Sequence, residues 1–288
     1  MKHFLIYTNQ HKDKQLNATE RIRSYLEAKG QRVTLKVKDT DWKKVSEETV
    51  QEAGDIPPDV DCMLVLGGDG TMLQAARETR RLSVPIIGVN LGTMGYLTEI
   101  EPSNVEEALD RLIAGDYKKE ARMMLSGRVC HEDGSSEEGC ALNDIVISRS
   151  GSLQIIKFDI YVNGQFLHDY QADGMIVTTP TGSTGYNLSA GGPLVEPKAK
   201  LIMLTPICPH TLSQRSMILS PEDEVEIRIP SGRDEKRQTV ECNFDGSHKV
   251  ILSTGDSIKI VQSEKVTEFI KLSQVSFLEV LHNKMRET

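Results

Sequence analysis

The spacing of hydrophobic positions changes character near residue 116. Before it, short aliphatic runs alternate with stretches whose apolar residues recur at helical intervals. The runs at 3–7, 33–37, 62–66 and 85–89 predict strands. Around them, Leu16, Ile22 and Leu26, then Met72, Leu73, Ala75 and Ala76, then Val105, Ala108, Leu109 and Leu112 predict three amphipathic helices. Strand and helix in alternation predict a doubly wound, Rossmann-like α/β domain. The stretch 39–58 is polar and carries no clear period.

Beyond Asp116 the period shortens to two. Residues 155–162 alternate, Asn163-Gly164 follows, and Gln165-Phe166-Leu167 resumes, which predicts a hairpin with a tight turn. Further runs at 225–229, 240–244, 249–252 and 257–261, separated by turns carrying Gly and Asp, predict an all-β, sandwich-like C-terminal domain. A last helix is expected from about Ser276 to Arg286. The expected division is an α/β domain over 1–118, a β-rich domain over 119–265, and a segment 266–288 able to pack back on the first domain. No fixed-period repeat or low-complexity tract interrupts it.

A length of 288 residues suits two domains. The formal charge of −8, with no basic cluster, argues against nucleic acid and against an anionic membrane surface as partners. Apolar runs such as Leu201-Ile202-Met203-Leu204 fall far short of the ~20 residues that cross a bilayer. The N-terminus turns polar too soon for a signal-peptide core. Five scattered cysteines without a C-x-x-C pair suggest neither a disulfide framework nor a zinc site, so a reducing, cytoplasmic setting is expected.

Chemistry concentrates in three places. Gly67-Gly68-Asp69-Gly70-Thr71 lies between an apolar strand and a helical pattern. Such a turn brings bare backbone N–H groups and a helix N-terminus against phosphate oxygens. A carboxylate there repels an anion unless it holds Mg²⁺ or takes a proton from a hydroxyl nucleophile, which singles out Asp69. The plainer alternative is a turn in which glycine supplies positive φ and Asp69 caps the helix. Neither the Walker pattern nor the G-x-G-x-x-G fingerprint is present.

The second place runs from Asp173-Gly174 through Thr178-Thr179-Pro180-Thr181-Gly182-Ser183-Thr184-Gly185-Tyr186-Asn187-Leu188-Ser189 to Gly191-Gly192-Pro193. Its small residues allow close approach, and its hydroxyls and N–H groups can bind phosphate or ribose. Taken singly, Thr178, Thr179 and Thr181 read better as turn and capping residues. The third is Asn143-Asp144 beside a strand, where an amide and a carboxylate can hold a ribose diol, or simply start a turn.

These motifs, with Pro206-Ile207-Cys208-Pro209-His210-Thr211-Leu212-Ser213, resemble in order the pattern of bacterial NAD kinases over about residues 3 to 262. The first motif is shared with diacylglycerol kinases and, more weakly, phosphofructokinases; the Thr179 to Tyr186 block is more specific. The resemblance implies transfer of the γ-phosphoryl of ATP to the 2′-hydroxyl of the adenosine ribose of NAD, giving NADP, with Mg²⁺ or another divalent cation. It implies Asp69 as general base, with Gly67, Gly68 and Gly70 leaving room for triphosphate. It assigns Asn143 and Asp144 to ribose hydroxyls, Asp173 to the nicotinamide end, and Thr184, Gly185, Tyr186 and Ser189 to the adenosine side. Tyr96 matches an aromatic position lining the adenine pocket. Implied partners are NAD, ATP and further copies of the chain in a dimer or tetramer.

Departures from the family pattern fall at three positions. Asp144 stands where Glu is frequent, Gln171 where some members carry Arg, and Gly185 where Ala is usual and should be tolerated. Asp245-Gly246-Ser247 resembles a late turn that reaches a neighbouring subunit's ligand. His210 reads as structural. No metal-ligand spacing appears, so Mg²⁺ is expected to arrive with ATP. Two other functions share parts of the pattern: a diacylglycerol-type lipid kinase, which needs an apolar substrate groove, and a non-catalytic NAD(P)-binding module, which would consume no ATP.

Overall fold

The computed structural model describes residues 1–38, 56–79, 82, 84–92, 95–151, 155–210 and 215–286. Most of the polar stretch 39–58, and Thr211, Leu212 and Ser213 of the last motif, lie outside the described residues. The chain forms two compact units, Met1–Ala121 with Thr267–Thr288, and Arg122–Val266.

The first unit opens with β1 (His3–Asn9), α1 (Asn17–Ala28), β2 (Arg32–Lys38), β3 (Cys62–Gly67), α2 (Asp69–Thr79), β4 (Ile86–Asn90), β5 (Thr98–Ile100) and α3 (Val105–Ala114). Its strands pair in parallel in the order β2-β1-β3-β4-β5. Every residue of β3 is buried, which is why its sequence runs continuously apolar instead of alternating. Phe4, Ile6, Leu64, Leu66, Ile87 and Val89 share one core cluster with Ile22 and Leu26 of α1 and Ala108, Leu109 and Leu112 of α3. The two-residue period turns Leu5, Tyr7, Met63 and Val65 to the other face, where the Tyr7 hydroxyl donates to Glu78 of α2 at 2.8 Å.

Because β1 leads through α1 to β2 on one side while β3 lies on the other, the sheet reverses its winding between β1 and β3. At such a switch point a crevice opens beyond the carboxyl ends of the strands. Gly67 ends β3 there, so topology delivers the glycine-rich turn to the crevice.

The second unit comprises most of β6 (Lys118–Cys130), β7 (Ser136–Ala141), β8 (Asp144–Arg149), β9 (Ile156–Val162), β10 (Gln165–Ala172), β11 (Gly174–Thr178), the short α4 (Tyr186–Ser189), β12 (Ile202–Ile207), β13 (Met217–Leu219), β14 (Val225–Arg228), β15 (Thr239–Phe244), β16 (His248–Ser253) and most of β17 (Ser257–Lys271). One antiparallel sheet runs β13-β12-β11-β8-β15-β16; β10-β9-β14-β17 form a second layer, and β6 and β7 a hairpin. Ile145, Ile147, Val177, Leu204, Phe158, Phe244, Ile258 and Ile260 meet in one core cluster with no exposed surface, as in a sandwich. The predicted turn is present, with φ of 52° at Asn163 and 75° at Gly164, the sign that a two-residue hairpin turn requires.

The end of β17 and a last helix, α5 (Phe277–Arg286), belong to the first unit. Phe269 pairs in parallel with Ile86. Glu99 of β5, its side chain buried, then receives the Lys271 ammonium at 2.7 Å and the N–H groups of Leu272 and Ser273 at 2.9 and 2.7 Å. Among the described residues, no helix is long and apolar enough to cross a membrane.

Candidate active site

The glycine-rich turn is built differently from an ordinary capped helix. None of Gly67, Gly68 and Gly70 has positive φ. A Cβ on Gly67 would stand 2.8 Å from Thr71 Cβ, so glycine is required there by the close passage of α2 over the end of β3. Gly68 and Gly70 face open space, with nothing within 4 Å of where a Cβ would be. The N–H groups of Thr71 and Met72 fold back on the Gly68 carbonyl at 2.9 and 3.1 Å, starting α2 tightly after the strand.

Asp69 does not cap α2. Its carboxylate turns to the segment before β5, where Oδ2 accepts the Tyr96 N–H at 2.8 Å and Oδ1 the Leu97 N–H at 3.0 Å. Each oxygen keeps acceptor capacity for a further donor. Gly95 permits this, because a Cβ there would lie 2.5 Å from Asp69 Cγ. The two N–H donors and Gly95 were not read from the sequence. The Gly95-Tyr96 pair itself was the only signal, and it was read for its aromatic ring alone.

The Tyr96 ring is half-buried, 6.5 Å from the Phe277 ring and with Lys284 Nζ 4.9 Å from its centroid. Burial, and then the Asp69 charge, hold its hydroxyl above the usual phenol range.

In the second unit, Asn143 and Asp144 occupy a turn fixed by Asp245. The Asp245 carboxylate accepts the N–H groups of Leu142, Asn143 and Asp144 at 2.8, 2.8 and 3.1 Å, from a residue in the left-handed region at φ 48°. Asp144 is buried, and burial together with the neighbouring Asp245 charge pushes its carboxyl up to about 7. Asn143 Oδ1 is buried without a hydrogen-bond partner. Asp245 thus serves this turn in its own chain.

The Thr-rich block wraps the same turn. Thr178 Oγ1 donates to the Asn143 carbonyl at 2.9 Å and Thr179 Oγ1 to the Leu142 carbonyl at 2.6 Å. Ser183 Oγ donates to the Val195 carbonyl at 3.1 Å, and Thr181 Oγ1 accepts from Arg122 at 3.4 Å. These hydroxyls hold the loop together, in keeping with the reading of Thr178, Thr179 and Thr181, taken singly, as turn and capping residues. A Cβ on Gly182 would stand 2.5 Å from the Asn143 carbonyl oxygen, so glycine lets the loop cross that turn. At Gly185 a Cβ would lie 3.4 Å from Asn143 Nδ2 and 3.3 Å from the Gly182 carbonyl, tight for alanine without a small shift.

Tyr186 and Ser189 are exposed on α4, and Thr184 bonds the Thr181 carbonyl at 3.5 Å. Burial holds the Tyr186 phenol high, aided by the charges of Cys208, Asp173 and Asp144. The register sets Asp144 opposite Thr178 at one end of β11, while Asp173 precedes Gly174 at the other. Asp173 pairs with Arg149 at 3.5 Å. Gln171 is exposed, and its carbonyl receives the His210 N–H at 2.9 Å. Among the described residues, no three His, Cys, Asp or Glu side chains gather as a metal cage would require.

Comparison with known proteins places this geometry. Residues 4–117 match the ATP-NAD kinase N-terminal domain and residues 142–272 the ATP-NAD kinase C-terminal domain. An NAD kinase of Agathobacter rectalis is 46% identical over 99% of both chains, and one of Lachnospira eligens 44% identical over 99% of this chain and 100% of its own. Yeast NADH kinase complexed with NADH superposes with a TM-score of 0.85 at 25% identity, covering 99% of this chain and 88% of that one. An NAD kinase from Archaeoglobus fulgidus in complex with ATP gives 0.75 at 25% identity, covering all of both chains. Neither the lipid-kinase nor the non-catalytic reading finds support in these matches. With both domain models matched in order and relatives this similar along nearly its whole length, the chain belongs to the NAD kinase family.

Proposed function

We propose that this chain transfers the γ-phosphoryl group of ATP to the 2′-hydroxyl of the adenosine ribose of NAD, with Asp69 as the general base. The observation that carries the reading is the seat of Asp69. At the head of α2, its carboxylate is held by the backbone N–H groups of Tyr96 and Leu97, beside two glycines that open to solvent space. In the step, the 2′-oxygen bonds to the γ-phosphorus while the bond from that phosphorus to the β–γ bridging oxygen breaks. The hydroxyl proton passes to Asp69, and ADP leaves. Because such transition states are largely dissociative, alignment and charge neutralisation supply most of the acceleration. Base catalysis adds roughly 10²- to 10⁴-fold.

Gly68 and Gly70 admit the triphosphate, whose charge is favoured at the α2 N-terminus, and Gly67 lets α2 start close enough to the strand to present them. Mg²⁺ or another divalent cation, arriving with ATP, would supply charge neutralisation on the triphosphate. Asn143 and Asp144 receive ribose hydroxyls. The buried, unpartnered Asn143 Oδ1 supports this, since a hydroxyl donor would satisfy it. Asp173 serves the nicotinamide end, Gln171 meets the dinucleotide without the charge that some members supply there, and Thr184, Gly185, Tyr186 and Ser189 serve the adenosine side, with Tyr96 beside the adenine. The α/β domain, expected over 1–118, supplies the phosphoryl-transfer machinery, and the β-rich domain, expected over 119–265, holds the dinucleotide. The working form is a homo-oligomer, a dimer or tetramer, in the cytoplasm.

Incubation with NAD, ATP and Mg²⁺, followed by phosphorus NMR of the product, tests the reading. A new phosphomonoester on the 2′-position supports it. ATP consumption without any phosphorylated dinucleotide contradicts it.

A further inference from the structure

Glu99, the end of β17 and helix α5 have no place in the phosphoryl-transfer account, yet they bracket the segment that grips Asp69. Tyr96 and Leu97 donate their N–H groups to the Asp69 carboxylate. Two residues on, Glu99 Oε1 accepts the N–H groups of both Leu272 and Ser273, while Glu99 Oε2 takes the Lys271 ammonium. That carboxylate is 5% exposed, so its three bonds form a shielded anchor. Beyond the anchor, α5 lays Phe277 and Lys284 against the Tyr96 ring. The segment from 95 to 99 is therefore held at one end by the base and at the other by the returning C-terminal chain. α5 has no fully buried residue, and its Phe277 and Lys284 meet the Tyr96 ring just beyond the Glu99 anchor.

We infer that the returning C-terminal segment, fastened through Glu99, is a positioning brace for the catalytic base. It fixes the Tyr96 and Leu97 N–H groups, and through them the direction of the Asp69 carboxylate. The inference rests on the proposed role of Asp69. It makes Glu99 a positioning residue that touches no substrate and acts on turnover through the backbone of its own strand. A misdirected base lowers kcat and leaves dinucleotide affinity alone.

The two oxygens of Glu99 have separate duties, and this gives a test. Glu99→Gln keeps the Oε1 acceptor for both N–H groups and loses only the ion pair with Lys271. Glu99→Ala loses all three bonds. Steady-state kinetics and NAD affinity by titration calorimetry are compared for the parent, both variants, Phe277→Ala and Asp69→Asn. The expected result is kcat about tenfold lower in Glu99→Ala and several-fold lower in Phe277→Ala. NAD affinity of Glu99→Ala stays within twofold, and Glu99→Gln recovers kcat to within about twofold of the parent. Parental kcat in Glu99→Ala and Phe277→Ala beside an inactive Asp69→Asn overturns the brace and leaves the base in place. Equal loss in Glu99→Gln and Glu99→Ala, or loss tracking NAD affinity, also overturns it. Should Glu99→Ala not fold, Phe277→Ala and Glu99→Gln decide between the same outcomes. Turnover surviving in Asp69→Asn overturns the base assignment itself, and the inference with it.

Discussion

Asp245 gathers the N–H groups of the turn that carries Asp144, and so keeps two carboxylates of like charge close together with one of them buried. The energetic consequence is a pH dependence of folding. The Asp144 carboxyl titrates at about 7 in the folded chain, against 3.8 for a free aspartate. Between those values the folded state holds a proton that the unfolded state has released. Stability therefore falls as pH rises from about 4 to about 7, by at most about 1.4 kcal/mol per pH unit, and levels off above. In Asp144→Asn this component vanishes. Urea midpoints at pH 5 and pH 8 check it: the parent should lose more stability across the interval than the variant, and parallel losses would contradict the assignment.

Asp245→Ala removes the acceptor of three N–H groups at once. Charged hydrogen bonds contribute about 1.5 to 3 kcal/mol each, and buried donors left unpaired add to the loss. The variant should be at least about 2 kcal/mol less stable by urea denaturation, with a raised KM for NAD because Asn143 and Asp144 lose their seat. An unchanged KM in a stable protein would separate the turn from the dinucleotide.

The glycines of the first motif should divide into two kinds. Gly67→Ala meets Thr71 and should lower the melting temperature. Gly68→Ala meets only open space, so the fold should keep its melting temperature while the KM for ATP rises several-fold. Thermal melts alongside ATP titrations of both variants provide the check.

Gly95→Ala drives a methyl group into the Asp69 carboxylate, which must leave its two N–H donors. A displacement of this size at a reacting group costs roughly a hundredfold in rate. The expected signature is a fall in kcat close to that of Asp69→Asn, with NAD affinity retained. A methyl accommodated with full turnover would show that the carboxylate works elsewhere than where it rests.

How much of this was legible in the sequence follows from what each interaction depends on. Strands β1 to β4 and the helices of the first unit were readable because each buries a face set by local period. The hairpin at Asn163-Gly164 was readable because its turn chemistry is local. The β6–β7 hairpin has no clean apolar period to show: β6 begins exposed at Lys118, and the first half of β7 is exposed Ser and Glu. The extent of β17, 15 residues against the run expected at 257–261, was hidden by its polar middle, Gln262-Ser263-Glu264-Lys265. At the site, residue types carrying charge in a glycine-rich setting stood out. Their supports did not, since Gly95 is separated from Asp69 by 26 positions and Asp245 from Asp144 by 101, and only the fold brings them together.

The most direct test of the central claim is NADP formation by the parent and by Asp69→Asn, each incubated with NAD, ATP and Mg²⁺ and read with an NADP-specific dehydrogenase. The parent should form NADP, and the variant, folded and still binding NAD, should form it at least roughly a hundredfold more slowly. Equal rates would contradict a base at Asp69, and no NADP from a folded parent that binds both substrates would contradict the transfer itself.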